Sequence, residues 1–277
     1  MAIEDLGILE SQWYQNLMAC DRDELFCRVS SCIRTYHGGL HQAERDDACR
    51  ALIVFARAFA RVSHVAAIAE RLRALYACET GNEELDRVTR ACFTDYGAYR
   101  TGHGDVDVSH AQTLISQPLG VQKMHARMHH RGRQEALLFT PWAPVVEILC
   151  QNPTVQKRDI LFMAARRPTQ SDLLEKILMS RWAVDGDIRF ALASNPYFKV
   201  SHALRCATTL NRKNLEALRD SPDIHLVIRD HVKRLLALRN EGFDWGSDKS
   251  AVAKLGIDEP LGEHENLGGV ENEMEKS

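Results

Sequence analysis

The chain has 277 residues, of which 45% are hydrophobic and 26% are charged, and its formal net charge is −3. These values are typical of a globular protein and exclude a collagen-like or wholly disordered chain. The most apolar window, residues 51–69, contains Arg57, Arg61 and His64, which excludes a membrane span and predicts a buried helix. Eight cysteines without framework spacing, and no secretory leader pattern, predict reduced thiols and a cytoplasmic location.

Residues 1–107 are predicted to form an N-terminal helical bundle. Apolar residues follow helical spacing over 25–33 and again over 52–62. The segments 37–40 and 79–82 contain glycine and are predicted to separate helices. No segment alternates apolar and polar residues for long enough to predict a sheet, so the predicted fold class is all-α.

A short motif recurs in the second half of the chain. Asn152-Pro153 reappears 43 residues later (152 to 195) as Asn195-Pro196, and a Leu and an Ala follow both prolines at the same distances. A period of this size is typical of stacked helical repeats. Prolines also mark the junctions between the short helices predicted here, because proline stops one helix and suits the first turn of the next.

Residues 110–238 resemble the HEAT-like family of bacterial α-helical repeats. The resemblance is carried by Asn152-Pro153, Ile160-Leu161, Ala164, Asn195-Pro196, Leu204 and Ala207. It implies a short α-solenoid of about three helix pairs over 108–239, of a kind that binds proteins and sometimes nucleic acids. The acidic tail, 240–277, contains too few large apolar residues to bury and is predicted to be largely disordered.

Charge divides the chain into three regions. Residues 1–117 carry 12 basic and 17 acidic side chains, residues 118–239 carry 20 and 11, and residues 240–277 carry 3 and 10, for net charges of −5, +9 and −7. The surplus of positive charge in residues 118–239 favours an anionic partner. That partner is either another molecule or the acidic tail of the same chain. The predicted basic surface consists of Lys123, Arg127, Arg131, Arg133, Lys157, Arg158, Arg166, Arg167, Arg212 and Lys213.

The densest basic segment, residues 123–133, lies in one predicted helix. Val121, Met124 and Met128 share one face of it and are predicted to face the core. His125 and His129 share another face at a spacing that allows metal chelation. The alternative interpretation is a solvated or partner-facing basic helix. Aromatic residues that would stack on nucleic-acid bases are missing from this segment.

A glycine-containing loop carries His103, Asp105, Asp107 and His110. Such carboxylates and imidazoles bind divalent metals or act as an acid–base set. The alternative is a solvated loop in which Asp107 or Ser109 caps the following helix. No Walker-type loop, serine elbow or dinucleotide fingerprint occurs in the sequence.

The leading functional hypothesis is a non-enzymatic scaffold or adaptor without a cofactor, which binds a protein partner through the helical-repeat surface. One alternative is a nucleic-acid-binding helical-repeat protein that uses the basic surface of 118–239. A second alternative is a metal-dependent enzyme at the loop of His103 and Asp107. Repeats specify a shape and a surface, so the sequence names neither the partner nor the oligomeric state.

Overall fold

The computed structural model describes residues 3–19, 21–62, 66–102, 112–240 and 243. These residues form helices joined by turns and loops and contain no β-strand, which confirms the all-α prediction. The α-helices are α1 (Ile3–Ala19), α2 (Arg22–Gly38), α3 (Gln42–Val62), α4 (Ala66–Ala74), α5 (Glu83–Cys92), α6 (Gln112–Ile115), α7 (Leu119–Arg127), α8 (Arg131–Leu137), α9 (Ala143–Gln151), α10 (Lys157–Ala165), α11 (Ser171–Leu178), α12 (Gly186–Ala193), α13 (Val200–Thr208), α14 (Arg212–Asp220) and α15 (Leu226–Leu238), with 3-10 helices at Leu75–Ala77 and Arg181–Val184.

Short polar side chains begin two of the N-terminal helices. At α2, the backbone N–H of Asp23 donates to the carboxylate of Asp21 (2.8 Å), and at α5 the backbone N–H of Leu85 donates to the amide oxygen of Asn82 (3.0 Å). Both contacts satisfy backbone donors that a helix start leaves without an intrahelical partner. The glycine-containing segments predicted to separate helices lie at the end of α2 and immediately before α5, as expected.

The apolar faces of α1, α2, α3 and α5 meet in an aromatic cluster. The ring of Phe55 contacts those of Trp13, Phe59 and Phe93 at centroid distances of 5.3, 5.8 and 5.5 Å. Phe26 stacks on Phe93 at 6.3 Å, and all five side chains are buried. Such pairs stabilise a core beyond their area burial. The most apolar window of the sequence thus includes a buried helix, as predicted.

The predicted bundle and the predicted repeat section share one core. Helix α13 packs against α3 and α5, and α15 packs against α5 and α2. Buried apolar residues of both sections belong to one continuous cluster, and the described residues between positions 1 and 246 form a single compact unit. The predicted disorder of the acidic tail concerns residues that, apart from 240 and 243, lie outside the described ones.

Arg205 of α13 is completely buried at this junction. Its Nε donates to the carbonyl oxygen of Cys92 (2.7 Å), its Nη2 to that of Thr94 (2.6 Å), and its Nη1 lies 2.9 Å from Nδ1 of His202. The guanidinium carbon lies 3.6 Å from the centroid of the Phe59 ring, a cation–π contact. Burial lowers the pKa of Arg205 to about 9. One side chain therefore joins α13 to the end of α5 and to α3.

A recurring hydrogen bond joins a helix to the helix two positions further along the chain. Asn152 follows α9, and its Nδ2 donates to the carbonyl oxygens of Ala126 and Met128 at the end of α7 (2.8 and 3.1 Å). Asn195 follows α12 and donates to two carbonyl oxygens at the end of α10 at the same distances. These amides satisfy carbonyl groups that a helix end leaves without an intrahelical partner. The same role is filled by Arg166 for α8, Trp182 for α9 and Arg239 for α13.

The motif period of 43 residues (152 to 195) covers three α-helices and the 3-10 helix Arg181–Val184. Helix α9 corresponds to α12, α10 corresponds to α13, and α11 lies between the two copies. The expectation of helix pairs is therefore wrong for this unit. Helical repeats of this length are built from two or three helices, so a third short helix fits within the period.

Residues 96–102 cross the start of α13 as an irregular segment, with one isolated β-bridge between Ala98 and Lys199. The backbone N–H of Val200 donates to the carbonyl oxygen of Gly97 (3.0 Å), and that of Arg100 donates to the carbonyl oxygen of Pro196 (2.9 Å). The chain itself thus covers part of the predicted repeat section, next to the second copy of the motif.

Replacing Gly102 by alanine is expected to lower the free energy of unfolding by about 2 kcal/mol. A Cβ atom at this position would lie 2.0 Å from the carbonyl oxygen of Thr169, so the backbone of residues 96–102 would have to move. Gly97→Ala is the matched control, because nothing lies within 4 Å of a Cβ atom there. Urea denaturation measures both variants, and equal stabilities would contradict this close packing.

Candidate interaction surfaces

Arg131 joins α8 to α10. Its two terminal nitrogens donate to the two carboxylate oxygens of Asp159 (2.5 and 2.7 Å), and its Nε donates to Glu135 (2.8 Å). Asp159 also accepts from the backbone N–H of Gln156 (2.8 Å) at the start of α10. The Arg131 guanidinium lowers the pKa of the Asp159 carboxyl. Paired bonds of this kind fix geometry, so the donors of Arg131 serve the fold.

Four further cations of the predicted basic surface also contact the protein itself. The contacts are Lys157 with Asp185 and Asp187 (2.8 and 2.6 Å), Arg167 with Asp223 (3.2 Å), Arg212 with Glu216 (3.0 Å), and Arg166 with the carbonyl oxygens of Leu138 and Thr140 (2.9 and 3.1 Å). Arg158 differs, since its side chain is 69% exposed and its nearest carboxylate oxygens lie 3.8 and 4.0 Å away. Lys213 is exposed on α14. Five of the ten cations predicted for the basic surface therefore contact carboxylates or carbonyl oxygens of the protein itself, and the carboxylates they contact are already counted in the net charge of +9.

The α7–α8 patch consists of Lys123, Met124, Arg127, Met128 and Arg133. Lys123 and Arg127 lie four residues apart on α7 and share a face, and neither forms an ion pair with any described residue. Met124 and Met128 are 45% and 37% exposed. Nη1 of Arg133 lies 3.3 Å from the Met128 sulfur, which brings the α8 cation to the end of α7. The patch combines unneutralised positive charge with exposed thioethers.

The prediction that Val121, Met124 and Met128 face the core is wrong for the two methionines. Helix α7 buries Gln122 and Ala126 instead. The Gln122 amide donates two hydrogen bonds to backbone carbonyls before α7 and accepts one from a threonine hydroxyl after α8, at 2.8–2.9 Å. A polar residue with satisfied hydrogen bonds thus occupies the buried face of α7. The spacing of the apolar residues therefore predicts the wrong face of this helix as the buried one.

The proposed metal ligands are not tested by the described residues. His103, Asp105, Asp107 and His110 lie outside them. In the part of the chain that the structure describes, no group of three or more His, Cys, Asp or Glu side chains is placed to hold a metal ion, so His125 and His129 belong to no such group. No helix of that part has both the length and the apolarity needed to cross a membrane.

Buried thiols and imidazoles are held in their neutral forms. Burial raises the pKa of Cys150 and Cys206 to about 12 and that of Cys92 to about 11. Burial also lowers the pKa of His231 to about 4. Because the thiolate is the reactive form of cysteine, these buried groups support packing rather than nucleophilic chemistry.

A polar contact that the sequence does not predict joins α1, α3 and the end of α11. Glu10 is buried and pairs with Arg57 (3.0 Å) and Arg61 (2.9 Å), and Arg57 also donates to the carbonyl oxygen of Met179 (3.1 Å). Arg61 and Arg181 line one cavity beside this contact. Since these residues lie far apart along the chain, no local spacing indicates that they converge.

Comparisons with known proteins identify no protein that is similar to this chain. No family model, curated protein or solved structure matches this chain. The resemblance of residues 110–238 to HEAT-like repeats therefore stays a prediction.

Proposed function

We propose that the protein is a non-enzymatic scaffold that binds a protein partner through its helical-repeat surface, at the α7–α8 patch. The observation that supports this proposal is that Lys123 and Arg127 form no ion pair with any described residue. Both cations lie beside two exposed methionines. The other cations of the predicted surface mostly contact carboxylates or carbonyl oxygens of the protein itself. The patch is therefore suited to an acidic segment of another protein.

The side chains of the patch favour a protein over a nucleic acid. Flexible thioethers adapt to apolar side chains of varied shape and are frequent at protein-binding surfaces. Nucleic-acid surfaces without base-specific contacts instead interleave cations with exposed aromatic rings, on which bases stack. None of the five patch residues is aromatic. A segment in which glutamates alternate with leucines would satisfy both the cations and the methionines.

Neutralising Lys123 and Arg127 together is expected to weaken binding of a synthetic Glu-Leu peptide about tenfold. The double variant Lys123→Gln/Arg127→Gln removes two charges without breaking a hydrogen bond of the fold. Fluorescence polarisation with the labelled peptide, at low and high salt, gives the affinity. Binding should weaken as salt rises, because the attraction depends on exposed charges.

The matched control is Lys213→Gln/Lys233→Gln, which removes two exposed cations of α14 and α15 and should leave the affinity unchanged. A single-stranded oligonucleotide of the same net charge tests the alternative function. Tighter binding of the oligonucleotide than of the peptide would favour a nucleic-acid-binding protein. Equal losses in the patch variant and the control would contradict the assignment to α7–α8.

A further inference from the structure

A cleft with two cavities lies beside the Glu10 contact. The first cavity has a volume of about 550 Å³ and is lined by residues of α1 and α3, among them Glu10, Tyr14 and Arg61. The second has a volume of about 360 Å³ and lies at the ends of α9 and α11. Its lining includes Arg61, Glu147, Gln151, Lys176, Ser180 and Arg181. Arg61 belongs to both linings, so the cavities meet at its side chain.

Positive charge exceeds negative charge in the second cavity. Three cations, Arg61, Lys176 and Arg181, face one carboxylate there, that of Glu147, which pairs with Lys176 (3.0 Å). The Arg181 guanidinium lies 3.4 Å from the carbonyl oxygen of Asn152 and forms no ion pair with a described residue. Its donors are largely free for an oxyanion.

Neutralisation of helix C-termini would be an ordinary role for these cations, because α9 and α11 both end beside the cavity. Other donors already satisfy the carbonyl oxygens at those ends. Trp182 Nε1 donates to Cys150 (2.9 Å), Arg57 donates to Met179 (3.1 Å), and the Ser180 hydroxyl donates to the carbonyl of Ile177 (2.7 Å). The helix ends therefore do not occupy Arg61 and Lys176. Their N–H donors are only partly used by Glu10 (2.9 Å from Arg61) and Glu147 (3.0 Å from Lys176).

We propose that this cleft binds a phosphate-bearing small molecule, with the phosphate among Arg61, Lys176 and Arg181 and the remainder in the cavity beside Tyr14. Guanidinium groups match phosphate oxygens with paired hydrogen bonds, and a lysine adds a compact charge. The phenol ring of Tyr14 is 44% exposed and offers an apolar face to the organic part. This site is separate from the α7–α8 patch and does not depend on the proposed function.

Isothermal titration calorimetry of the full chain with phenyl phosphate and with inorganic phosphate tests the proposal. Phenyl phosphate is expected to bind more tightly, because only its ring reaches Tyr14. Arg181→Gln should weaken both probes at least tenfold, as expected for a lost hydrogen bond between charged groups. Tyr14→Leu should weaken phenyl phosphate alone. Arg158→Gln, the control, should change neither affinity.

Three results would overturn the proposal. The first is no heat of binding for either probe at millimolar concentration. The second is an equal effect of Arg181→Gln and of the control, which would place binding elsewhere. The third is equal affinity for the two probes, which would exclude an organic ligand beside Tyr14. Circular dichroism confirms that Arg181→Gln is folded, and Lys176→Gln provides a second variant with the same expected loss.

Discussion

Arg205→Leu is expected to lower the free energy of unfolding by about 3 kcal/mol. The leucine would leave the carbonyl oxygens of Cys92 and Thr94 buried without a donor, and it would remove the cation above the Phe59 ring. Removing a buried cation also removes the cost of its desolvation, which limits the loss. Urea denaturation followed by circular dichroism at neutral pH measures the effect.

Arg205→Lys separates charge from geometry. A lysine keeps the positive charge but replaces the planar fork with one compact group, so it cannot reach both carbonyl oxygens as arginine does. We expect its stability to lie between those of the leucine variant and the original protein. Arg158→Leu is the control, because its side chain is 69% exposed and should contribute almost nothing. A leucine variant at position 205 as stable as this control would show that α13 and α5 do not depend on Arg205.

Asn195→Ala is expected to cost about 2 kcal/mol of folding free energy, because two carbonyl oxygens at the end of α10 lose their donor. Asn152→Ala should have a similar effect, since its amide makes the corresponding bonds to the end of α7 at the same distances. Thermal unfolding of each variant, monitored at 222 nm in the α-helical circular dichroism signal, provides the comparison.

Asn214→Ala is the matched control for both asparagine variants. Asn214 lies inside α14 and takes part in capping through its backbone N–H, which alanine retains. We expect its unfolding temperature to stay close to that of the original protein. Variants at 152 and 195 that were as stable as this control would contradict the structural role assigned to the motif. Water would then satisfy the carbonyl oxygens at the ends of α7 and α10 as well as the asparagine amides do.

The all-α fold and the repeated motif were accessible from the sequence for different reasons. Helical spacing of apolar residues records which faces are buried, so helices such as α3 were predictable. The recurrence of Asn152 and Asn195 indicates a shared role but does not say which groups they contact. Their partner carbonyls lie 24 to 31 residues earlier in the chain, and nothing in the sequence indicates that pairing.

The candidate surfaces were less accessible, because neutralisation of charge depends on distant residues. Nothing near Arg131 in the sequence shows that Asp159 accepts its two terminal donors, 28 positions further along. Lys123 and Arg127 look the same as Arg131 in a count of charges, yet they form no ion pair with any described residue. Spacing also misplaced Met124, since it cannot show that Gln122 finds buried partners.

The end of α10 is capped by Asn195, which follows α12 and is therefore separated from α10 by two further helices. This arrangement has a consequence for the order in which the chain can fold. As the protein is synthesised, α10 emerges before the amide that satisfies its last carbonyl groups, because Asn195 follows Ala164 by 31 residues. Each such helix end must remain hydrated until the later residue arrives. Folding of the predicted repeat section is thereby coupled across successive helices. In a nascent chain that stops before Asn195, the last carbonyl groups of α10 have no side-chain donor from this residue.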